Sequence, residues 1–500
     1  MASSHGGDAI LLVACTGRIP QELTAPHHVS HLMHRLAIAL LVASAAALPA
    51  QPARPANHAP DWDALQRESV QMLQEYVRVN TTNPPGNERE GAQFLQRILK
   101  REGIDAVLLD TAELGAGHAN LYARLRGDGS RKAIALVHHI DVVPAVASYW
   151  TSDPFGGEVK DGFVYGRGTL DMKGQGIAHL MALIALKRSG APLTRDIVFI
   201  ANTNEETGGT GADMFVKHHA DLLRDVEYLM TEGGDNPVEN GVVRYYGVGV
   251  EEKSPFGLRL VVKGVPSHGS RPTKQNPVPR LVAALDRIAH YETPLHVVPG
   301  VARYFKALSS RYTGQQRAWL ADVATASKSK EARDWLTSDV YWNAILRNTI
   351  SMTVLSGSNK SNVIPPEASA GLDIRLLPDQ DPGVFLAEIK RVIADTAVEI
   401  VAPATQRARM DNPIDTDLFR AIERATHERD PRALVTTPMF TAASDRPHYR
   451  ALGIITYGFD PFTVESADMQ KGMHGNDERI SLVNMGFGVH YLYDVLRHAQ

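Results

Sequence analysis

The chain alternates between short apolar runs and longer stretches with helical periodicity. The runs at 134–137, 197–201 and 228–230 have the length of strands, and amphipathic stretches such as 177–187 lie between them. Strands that alternate with helices indicate an α/β domain with a largely parallel sheet. We therefore predict a mostly parallel, mixed sheet with helices on both faces.

Two helices are predicted before the first strand. The first has apolar positions between Leu65 and Val77, and either Asp61 or Asp63 is expected to cap it. A turn at 81–88, rich in proline and glycine, separates it from a second helix that continues to Leu99.

The pattern changes between residues 256 and 378. A strand, a helix, a long irregular or helical stretch and two further strands predict an inserted α+β domain there. The remaining residues, 61–255 and 379–500, return to the α/β pattern and close with a helix at 481–498. Two domains also suit a chain of 500 residues, which is too long for one ordinary compact domain.

The first 50 residues are predicted to be absent from the mature protein. Basic residues after Met33 precede a small and apolar run at 36–48, and Ala50 comes just before a linker at 51–60 rich in proline and alanine. This order is typical of a secretory signal peptide, and the run is shorter than the roughly 20 residues that span a bilayer. We expect translation to start at Met33, residues 1–32 to be an extension, and the protein to be secreted or periplasmic. An uncleaved anchor is the alternative.

Composition excludes several classes of function. A net charge of −4 on 500 residues gives no electrostatic reason to expect nucleic acid or an anionic membrane as a partner. The single cysteine, Cys15, lies in the predicted extension, so the mature chain has neither a thiol nucleophile nor Cys-ligated zinc.

Potential metal ligands follow the predicted strands. His139 and Asp141 come after the first apolar run, and residues two apart in an extended chain share a face. A metal-binding histidine usually donates its other ring N–H to a carboxylate, which this spacing allows. His138 should face the other way and serve in packing. Asp171 lies at the centre of a glycine-rich turn. Taken singly, each of these has an ordinary alternative, a surface pair or a plain turn.

Further acids occupy the same kind of position. Glu205 and Glu206 are adjacent after the second apolar run, and Glu232 follows the third. Because neighbouring side chains diverge, one of the adjacent pair can bind metal while the other handles protons. With His474, the set suits two divalent metals that share a carboxylate. Asp235 competes with Glu232 for the ligand position.

Seven motifs occur in the order found in M20 metallopeptidases, and the chain resembles that family over residues 61–498: HIDVVPA, YGRGTLDMKG, NEETGGTGA, TEGG, GVPSHGSRP, SNVIPPEASAGLDIR and MHGNDERI. Within the family, VEEKS at 250–254, the long insert and the NVIPP segment look most like the carboxypeptidase S subfamily. That subfamily includes Gly-X carboxypeptidases and N-fatty-acyl-amino-acid hydrolases.

The resemblance implies two zinc ions, with Co²⁺ or Mn²⁺ as substitutes. His139 and Glu232 would hold one ion and Glu206 and His474 the other, with Asp171 bridging the two. In the same way, the resemblance makes Glu205 the general base and Asp141 the residue that orients His139. One departure is Met172, since close relatives often carry a second acid at that position.

The resemblance also implies a substrate side. The inserted domain would be a lid or dimerisation domain. Its His268 would stabilise the developing oxyanion, often from the partner subunit, while Arg375 with Asn362 would hold the substrate's carboxylate. A turn histidine and a plain strand arginine are the alternative interpretations.

These features predict a secreted di-zinc hydrolase that cleaves the amide bond beside a C-terminal amino acid with a free carboxylate. The reaction would use a metal-bridging hydroxide, on a small peptide or an N-acyl amino acid. A narrow biosynthetic deacylase and a non-catalytic metal-binding homologue are the alternatives. We expect no nucleic-acid partner and no stable membrane span after signal cleavage, and leave open whether the lid pairs two chains.

Overall fold

The computed structural model describes residues 59–403, 412–465 and 472–500. The predicted signal peptide and most of the linker lie outside the described residues. Among the residues described, no helix is both long enough and apolar enough to cross a membrane.

A six-stranded mixed sheet forms the centre of the fold. In spatial order its strands are Ala106–Asp110, Ala119–Leu125, Arg195–Asn202, Arg131–His139, Val226–Thr231 and Ile455–Gly458. Only the second strand in this order runs against the other five. The prediction of a mostly parallel, mixed sheet is confirmed, and the apolar runs seen in the sequence are the centres of these strands.

Helices cover both faces because the strand residues alternate. Ile134 and Leu136 pack into one core, and Ala135 and Val137 pack into the other. The first face is covered by Trp62–Arg78, Glu88–Arg101, Lys173–Ser189, Asp417–Arg429 and Leu482–His498. The second face is covered by Thr210–His219 and Arg446–Arg450.

Two helices of the first core show which of the predicted local features form. Asp61, and not Asp63, caps the first helix, since its side chain accepts a hydrogen bond from the Ala64 N–H at 3.0 Å. The stretch at 177–187 was expected to be amphipathic. It lies instead within a helix, Lys173–Ser189, that is buried along almost its whole length between the sheet and the first and last helices.

A second, antiparallel sheet has its own core. Its strands are Ser254–Pro255, Leu258–Lys263, Thr349–Ser356, Glu367–Leu376 and Glu399–Val401. The helices Pro277–Ala289 and Pro382–Ile393 supply the apolar side chains that pack on it. The sheet therefore includes residues beyond the expected boundary at 378, while the division into a catalytic and a lid domain stays a prediction.

The long stretch inside the predicted insert is helical. Its helices are Pro299–Leu308, Ser309–Arg311 (a 3₁₀ turn), Gly314–Ala321, Val323–Ala326, Lys330–Ser338 and Val340–Ile345. The aromatic residues of this segment pack on one another, with the Trp342 ring 5.3 Å from the rings of both Phe305 and Trp335. They form a local core of their own.

Short strands and turns join these parts. The strands are Glu158–Lys160, Phe163–Tyr165, Asn236–Glu239, Val242–Val243, Tyr246–Gly247, Ser267–His268, Val363–Ile364, Val435–Thr436, Thr463–Glu465 and Arg479–Ser481. The remaining 3₁₀ turns are Ala112–Leu114, Ala147–Tyr149 and Ala220–Leu223. One pairing matters for the site, because Arg479–Ser481 runs antiparallel to Phe163–Tyr165 and brings the chain after His474 beside the turn that holds Asp171.

Candidate metal centre

The polar side chains of the site gather at the carboxyl ends of three neighbouring parallel strands. Arg131–His139 lies between Arg195–Asn202 and Val226–Thr231, and His139 is paired with Asn202. The acids Glu205 and Glu232 follow the two outer strands. Open α/β sheets place their sites at this edge, so the fold alone brings these residues together.

His139 is fixed through both ring nitrogens. Its Nδ1 lies 2.9 Å from the backbone carbonyl oxygen of Asp141, and its Nε2 lies 2.9 Å from Oδ1 of Asp171. The Asp141 carboxylate is farther from the ring, at 3.7 Å. Asp141 therefore contacts His139 mainly through its backbone. Its neighbour His138 is fully buried and packs against Phe199, as a packing residue should.

The carboxylate of Asp141 instead holds the turn that carries the acid pair. Oδ1 accepts the N–H of Glu205 at 3.0 Å, and Oδ2 accepts the N–H of Glu206 at 3.1 Å. The side chain of Asn83 donates to the same Oδ2 at 3.0 Å and to Oδ1 of Asn204 at 2.6 Å. Through Asn83, the turn at 81–88 thus helps to hold Asp141 and the turn of the acid pair in place.

Asp171 lies between two histidines. Its Oδ1 faces His139, and its Oδ2 lies 3.1 Å from Nε2 of His474. Burial alone would raise the pKa of Asp171, but the hydrogen bonds from the two histidines outweigh it and lower that pKa. A carboxylate that presents one oxygen to each histidine is placed as a bridging ligand requires.

His474 lies beside the carboxylates of both Asp171 and Glu206. Its side chain is about half exposed, and Nε2 lies 3.3 Å from each carboxylate oxygen of Glu206. Hydrogen bonds to Asp171 and Glu206 raise the pKa of His474 to about 10. Since both partners are anionic, a cation at this position would take the place of the imidazole proton.

Two groups of side chains are arranged to hold a metal ion. One consists of His139, Glu205 and Glu232, and the other of His139, Asp171 and Glu206. In each group the ligand atoms lie within 4.8 Å of one another. Glu232 takes part and Asp235 does not, among the residues that the structure describes. Glu205, expected to be the general base, also lies close enough to His139 and Glu232 to act as a metal ligand.

The electrostatics of the site fit a divalent cation. Burial, together with the nearby Glu232, raises the pKa of Glu205 well above its usual value. Burial also raises the pKa of Glu232, against the opposing effect of His139. Buried carboxylates are costly when they are crowded, and a bound cation removes this cost. The donor set of imidazole and carboxylate oxygen is one that zinc accepts.

Two polar residues behind the site, Asn202 and Asp445, are not among the predicted site residues. Asn202 donates through Nδ2 to Oδ2 of Asp445 at 2.8 Å. The charge of Asp445 contributes to the raised pKa of Glu205 and Glu232. Nothing in the local pattern around Asp445 distinguishes it from a surface turn, whereas the strand end at Asn202 was a usable signal.

Of the residues expected to bind substrate, Arg375 lies in the second sheet, His268 lies in a short strand that pairs separately with Val363–Ile364, and Asn362 directly precedes that partner strand. All three lie outside both metal-binding groups. His268 is exposed and lies 2.8 Å from Oγ of Ser270, and the Asn362 carbonyl accepts the N–H of Gly269 at 2.7 Å. The Arg375 guanidinium donates twice to Asp373, at 2.8 and 3.2 Å. Their roles toward substrate stay predictions.

A buried histidine, a carboxylate between two imidazoles and acids at strand ends on a mixed α/β sheet form the arrangement that a metal-dependent hydrolase requires. The sequence profile of Peptidase family M20/M25/M40 matches residues 135–498, which is most of the chain. The chain therefore belongs to that family of metallopeptidases and amidohydrolases.

Individual relatives agree with this assignment. N-fatty-acyl-amino acid synthase/hydrolase PM20D1 of Xenopus tropicalis is 28% identical over 439 residues, 83% of each chain. Probable carboxypeptidase S-like 2 of Dictyostelium discoideum is 27% identical over 389 residues, 75% of this chain and 73% of that one. The M20 family metallo-carboxypeptidase Sso-CP2 from Sulfolobus solfataricus shares the fold with a TM-score of 0.68 at 18% identity, covering 86% of this chain and 99% of that one. The resemblance to M20 enzymes with carboxypeptidase S-like relatives is confirmed.

Proposed function

We propose that this chain is a two-zinc hydrolase that cleaves the amide bond beside an amino acid with a free carboxylate. The observation that carries the proposal is Asp171, whose two oxygens lie 2.9 Å and 3.1 Å from Nε2 of His139 and of His474. Two imidazoles that each face a different oxygen of one carboxylate suit two metal ions better than one.

Each residue of the centre has a role in this proposal. His139 and Glu232 would hold one ion, Glu206 and His474 would hold the other, and Asp171 would be shared by both. When bound, the ions would supply a polarised water and electrostatic stabilisation of the substrate's carbonyl oxygen. Glu205 accepts a proton from the attacking water and returns it to the leaving amine. Burial keeps the pKa of Glu205 high, which suits an acid that must carry the proton between these two steps.

Substrate preference is inferred from the relatives and from Arg375. The relatives carry names of enzymes that act on N-fatty-acyl amino acids or as carboxypeptidases. In both cases the group released is an amino acid with a free carboxylate. The side chain of Arg375 is 30% exposed, and its planar guanidinium suits a bidentate contact with a carboxylate.

The test is a hydrolysis screen of the zinc-loaded protein against dipeptides and N-acyl amino acids, with metal content measured on the same sample. We expect two zinc ions per chain and release of the free amino acid. Metal removal should abolish turnover, and zinc, Co²⁺ or Mn²⁺ should restore it. Two bound ions with no turnover of any substrate would favour the non-catalytic alternative, and turnover of a single N-acyl amino acid would favour the narrow deacylase.

We further propose that the protein is exported. The support is the order of basic, then apolar, then small residues from Met33 to Ala50. N-terminal sequencing of protein recovered outside the cytoplasm should begin near Gln51. Soluble protein that starts at Met1 would contradict export.

We also propose that the second sheet pairs two chains. Its outer strand, Thr349–Ser356, is hydrogen-bonded only to Glu367–Leu376 within the described part of the chain. Leu355 is 69% exposed there, beside a groove of about 750 Å³ that Val282 also lines. Exposed edge strands pair readily with other strands.

Light scattering during gel filtration should give twice the chain mass. Leu355→Lys should shift the protein toward monomer, because it places a charge on the pairing edge. Val340→Lys is the matched control, since Val340 is 85% exposed on a helix outside this edge. A wild-type monomer would refute the pairing without affecting the metal centre.

A further inference from the structure

The segment that carries His474 needs an anchor of its own. Residues 473–478 belong to no helix or strand, and His474 has a left-handed backbone with φ of +58°. By contrast, His139 ends a central strand, and Glu206 and Glu232 lie just beyond the ends of two others. The position of His474 relative to Asp171 must therefore be set by contacts outside the central sheet.

Glu478 makes those contacts. Its carboxylate is fully buried and accepts four hydrogen bonds from the segment that contains Asp171. Oε2 accepts from Nη1 of Arg167 at 2.7 Å and from the N–H of Gly168 at 3.1 Å. Oε1 accepts from the N–H of Leu170 at 2.7 Å and from that of Asp171 itself at 3.2 Å.

Arg167 adds a second link to the same segment. While Nη1 contacts Glu478, Nη2 donates to the backbone carbonyl of Gly475 at 2.8 Å. Gly475 directly follows His474 in the chain. The guanidinium is 97% buried and lies over the ring of Trp150, 5.2 Å from its centre. The planar, forked guanidinium is suited to contacts in two directions at once.

We propose that Glu478, with Arg167 as its counter-charge, is a positioning residue for the second metal ion. It fixes the Asp171 backbone and the chain on the far side of His474 in one rigid unit, so that their side chains face each other. The proposal rests on the two-zinc function proposed above. Glu478 touches neither substrate nor metal in this role, and acts through Asp171 and His474.

Glu478→Gln tests the proposal with little change in shape. The amide oxygen can replace Oε1, but the amide NH₂ group then faces the N–H groups of Arg167 and Gly168, which are donors themselves. Residues that orient metal ligands typically change metal affinity by about 10- to 100-fold. We expect the zinc ion proposed to be held by Glu206 and His474 to bind about 10- to 100-fold more weakly. The ion proposed to be held by His139 and Glu232 should bind as in the wild type.

The measurement is zinc affinity by chelator competition, with zinc stoichiometry determined on the same sample and kcat measured over a range of free zinc. The kcat of Glu478→Gln should recover at high zinc, because the chemical groups are all present. Glu227→Gln is the matched control. It removes the charge beside the buried Arg195 at the start of a central strand, 2.6 Å away, and should lower the melting temperature but leave both zinc affinities unchanged.

Two unchanged zinc affinities in a folded Glu478→Gln protein would overturn the proposal, and so would equal weakening of both ions. If that variant does not fold, Arg167→Lys decides the question, since it keeps the charge but cannot reach both Glu478 and Gly475. Selective loss of one ion in Arg167→Lys supports the proposal, and unchanged affinities overturn it. A wild-type protein with fewer than two ions would refute the proposed function instead.

Discussion

The carboxylate of Asp141 accepts a hydrogen bond from the backbone N–H of Glu205, with 3.0 Å between Oδ1 and N. A residue that follows one strand thus holds the turn after the next strand. The neighbouring N–H, from Glu206, is bound by the other oxygen. The direction in which both glutamates point therefore depends on a single buried side chain.

Asp141→Asn should weaken zinc binding and lower kcat/KM, each by about 10- to 100-fold. The NH₂ group of the asparagine amide is a donor and cannot accept a hydrogen bond from the backbone N–H that it would face. The turn must therefore move. Zinc affinity and steady-state kinetics measure the effect. In the control Asp128→Asn, a surface acid loses its charge but keeps an oxygen for the N–H of Ser130, and both quantities should be unchanged.

The roles of the adjacent glutamates can be separated by replacing each with glutamine. Glu205→Gln should retain two zinc ions and lower kcat by about 10²- to 10⁴-fold, because only proton transfer is lost. Glu206→Gln should lose affinity for one ion. Zinc stoichiometry and kcat, measured on both variants, give the answer. Loss of an ion from Glu205→Gln would make Glu205 a ligand, as its proximity to His139 and Glu232 allows.

Arg375 should determine the requirement for a free carboxylate. Arg375→Ala should reduce kcat/KM by about 10- to 100-fold for N-acyl amino acids, which corresponds to a lost charge-assisted hydrogen bond. Amidated analogues should react slowly with both proteins. Because Asp373 occupies the guanidinium in this structure, Asp373→Asn should lower KM.

Arg259→Ala is the control for this test, since Arg259 lies on the neighbouring strand of the same sheet and pairs with Glu367. It should leave kcat/KM unchanged. Rapid turnover of the amidated analogues by the wild type would show that Arg375 does not determine a requirement for a free carboxylate.

Asp460 gives a prediction for stability against pH. Burial, with the nearby charge of Asp235, raises the pKa of Asp460 to about 8, although the Phe462 N–H acts in the opposite direction. The folded protein then binds more protons than the unfolded chain between about pH 4 and pH 8. The contribution of this group to stability therefore falls as the pH rises through that window.

Asp460→Asn should remove this dependence while keeping an oxygen for the Phe462 N–H, which Asp460 binds at 3.0 Å. Its stability relative to the wild type should increase with pH, by at most about 1.4 kcal/mol per unit between pH 5 and pH 8. Urea unfolding at several pH values, at a fixed zinc concentration, measures this. Asp105→Asn, at an exposed acid, should show no such trend, and a parallel result for both variants would contradict the assignment.

The central sheet and the grouping of most of the candidate metal ligands could be predicted because both follow from local patterns. Apolar runs such as 197–201 mark buried strands, and acids placed just after them, such as Glu232, fall at the functional edge of a parallel sheet. The packing role of His138 was also predictable, since its neighbour His139 faces the candidate metal site and adjacent strand residues face opposite ways.

Other parts of the centre depend on contacts between distant segments, which carry no local signal. Asn83 lies in a turn whose prolines and glycine explained it fully, yet its side chain supports Asp141. Arg375 alternates as a half-buried strand residue does, and the strand alone could not show that Asp373 already binds its guanidinium. Asp445 affects the site through its charge, which acts on Glu205 and Glu232 only once the chain has folded.

The order of the ligands along the chain has a consequence for biosynthesis. His139, Asp171, Glu206 and Glu232 all lie in the first half of the sequence, whereas His474 comes near its end. Soon after it begins the last helix, Leu482–His498, where His490 stacks on Trp62 of the first helix with their ring centres 3.7 Å apart. In a growing polypeptide the other four proposed ligands are therefore made before His474, so the proposed site of the second ion can form only after the segment around His474 has been made and has folded.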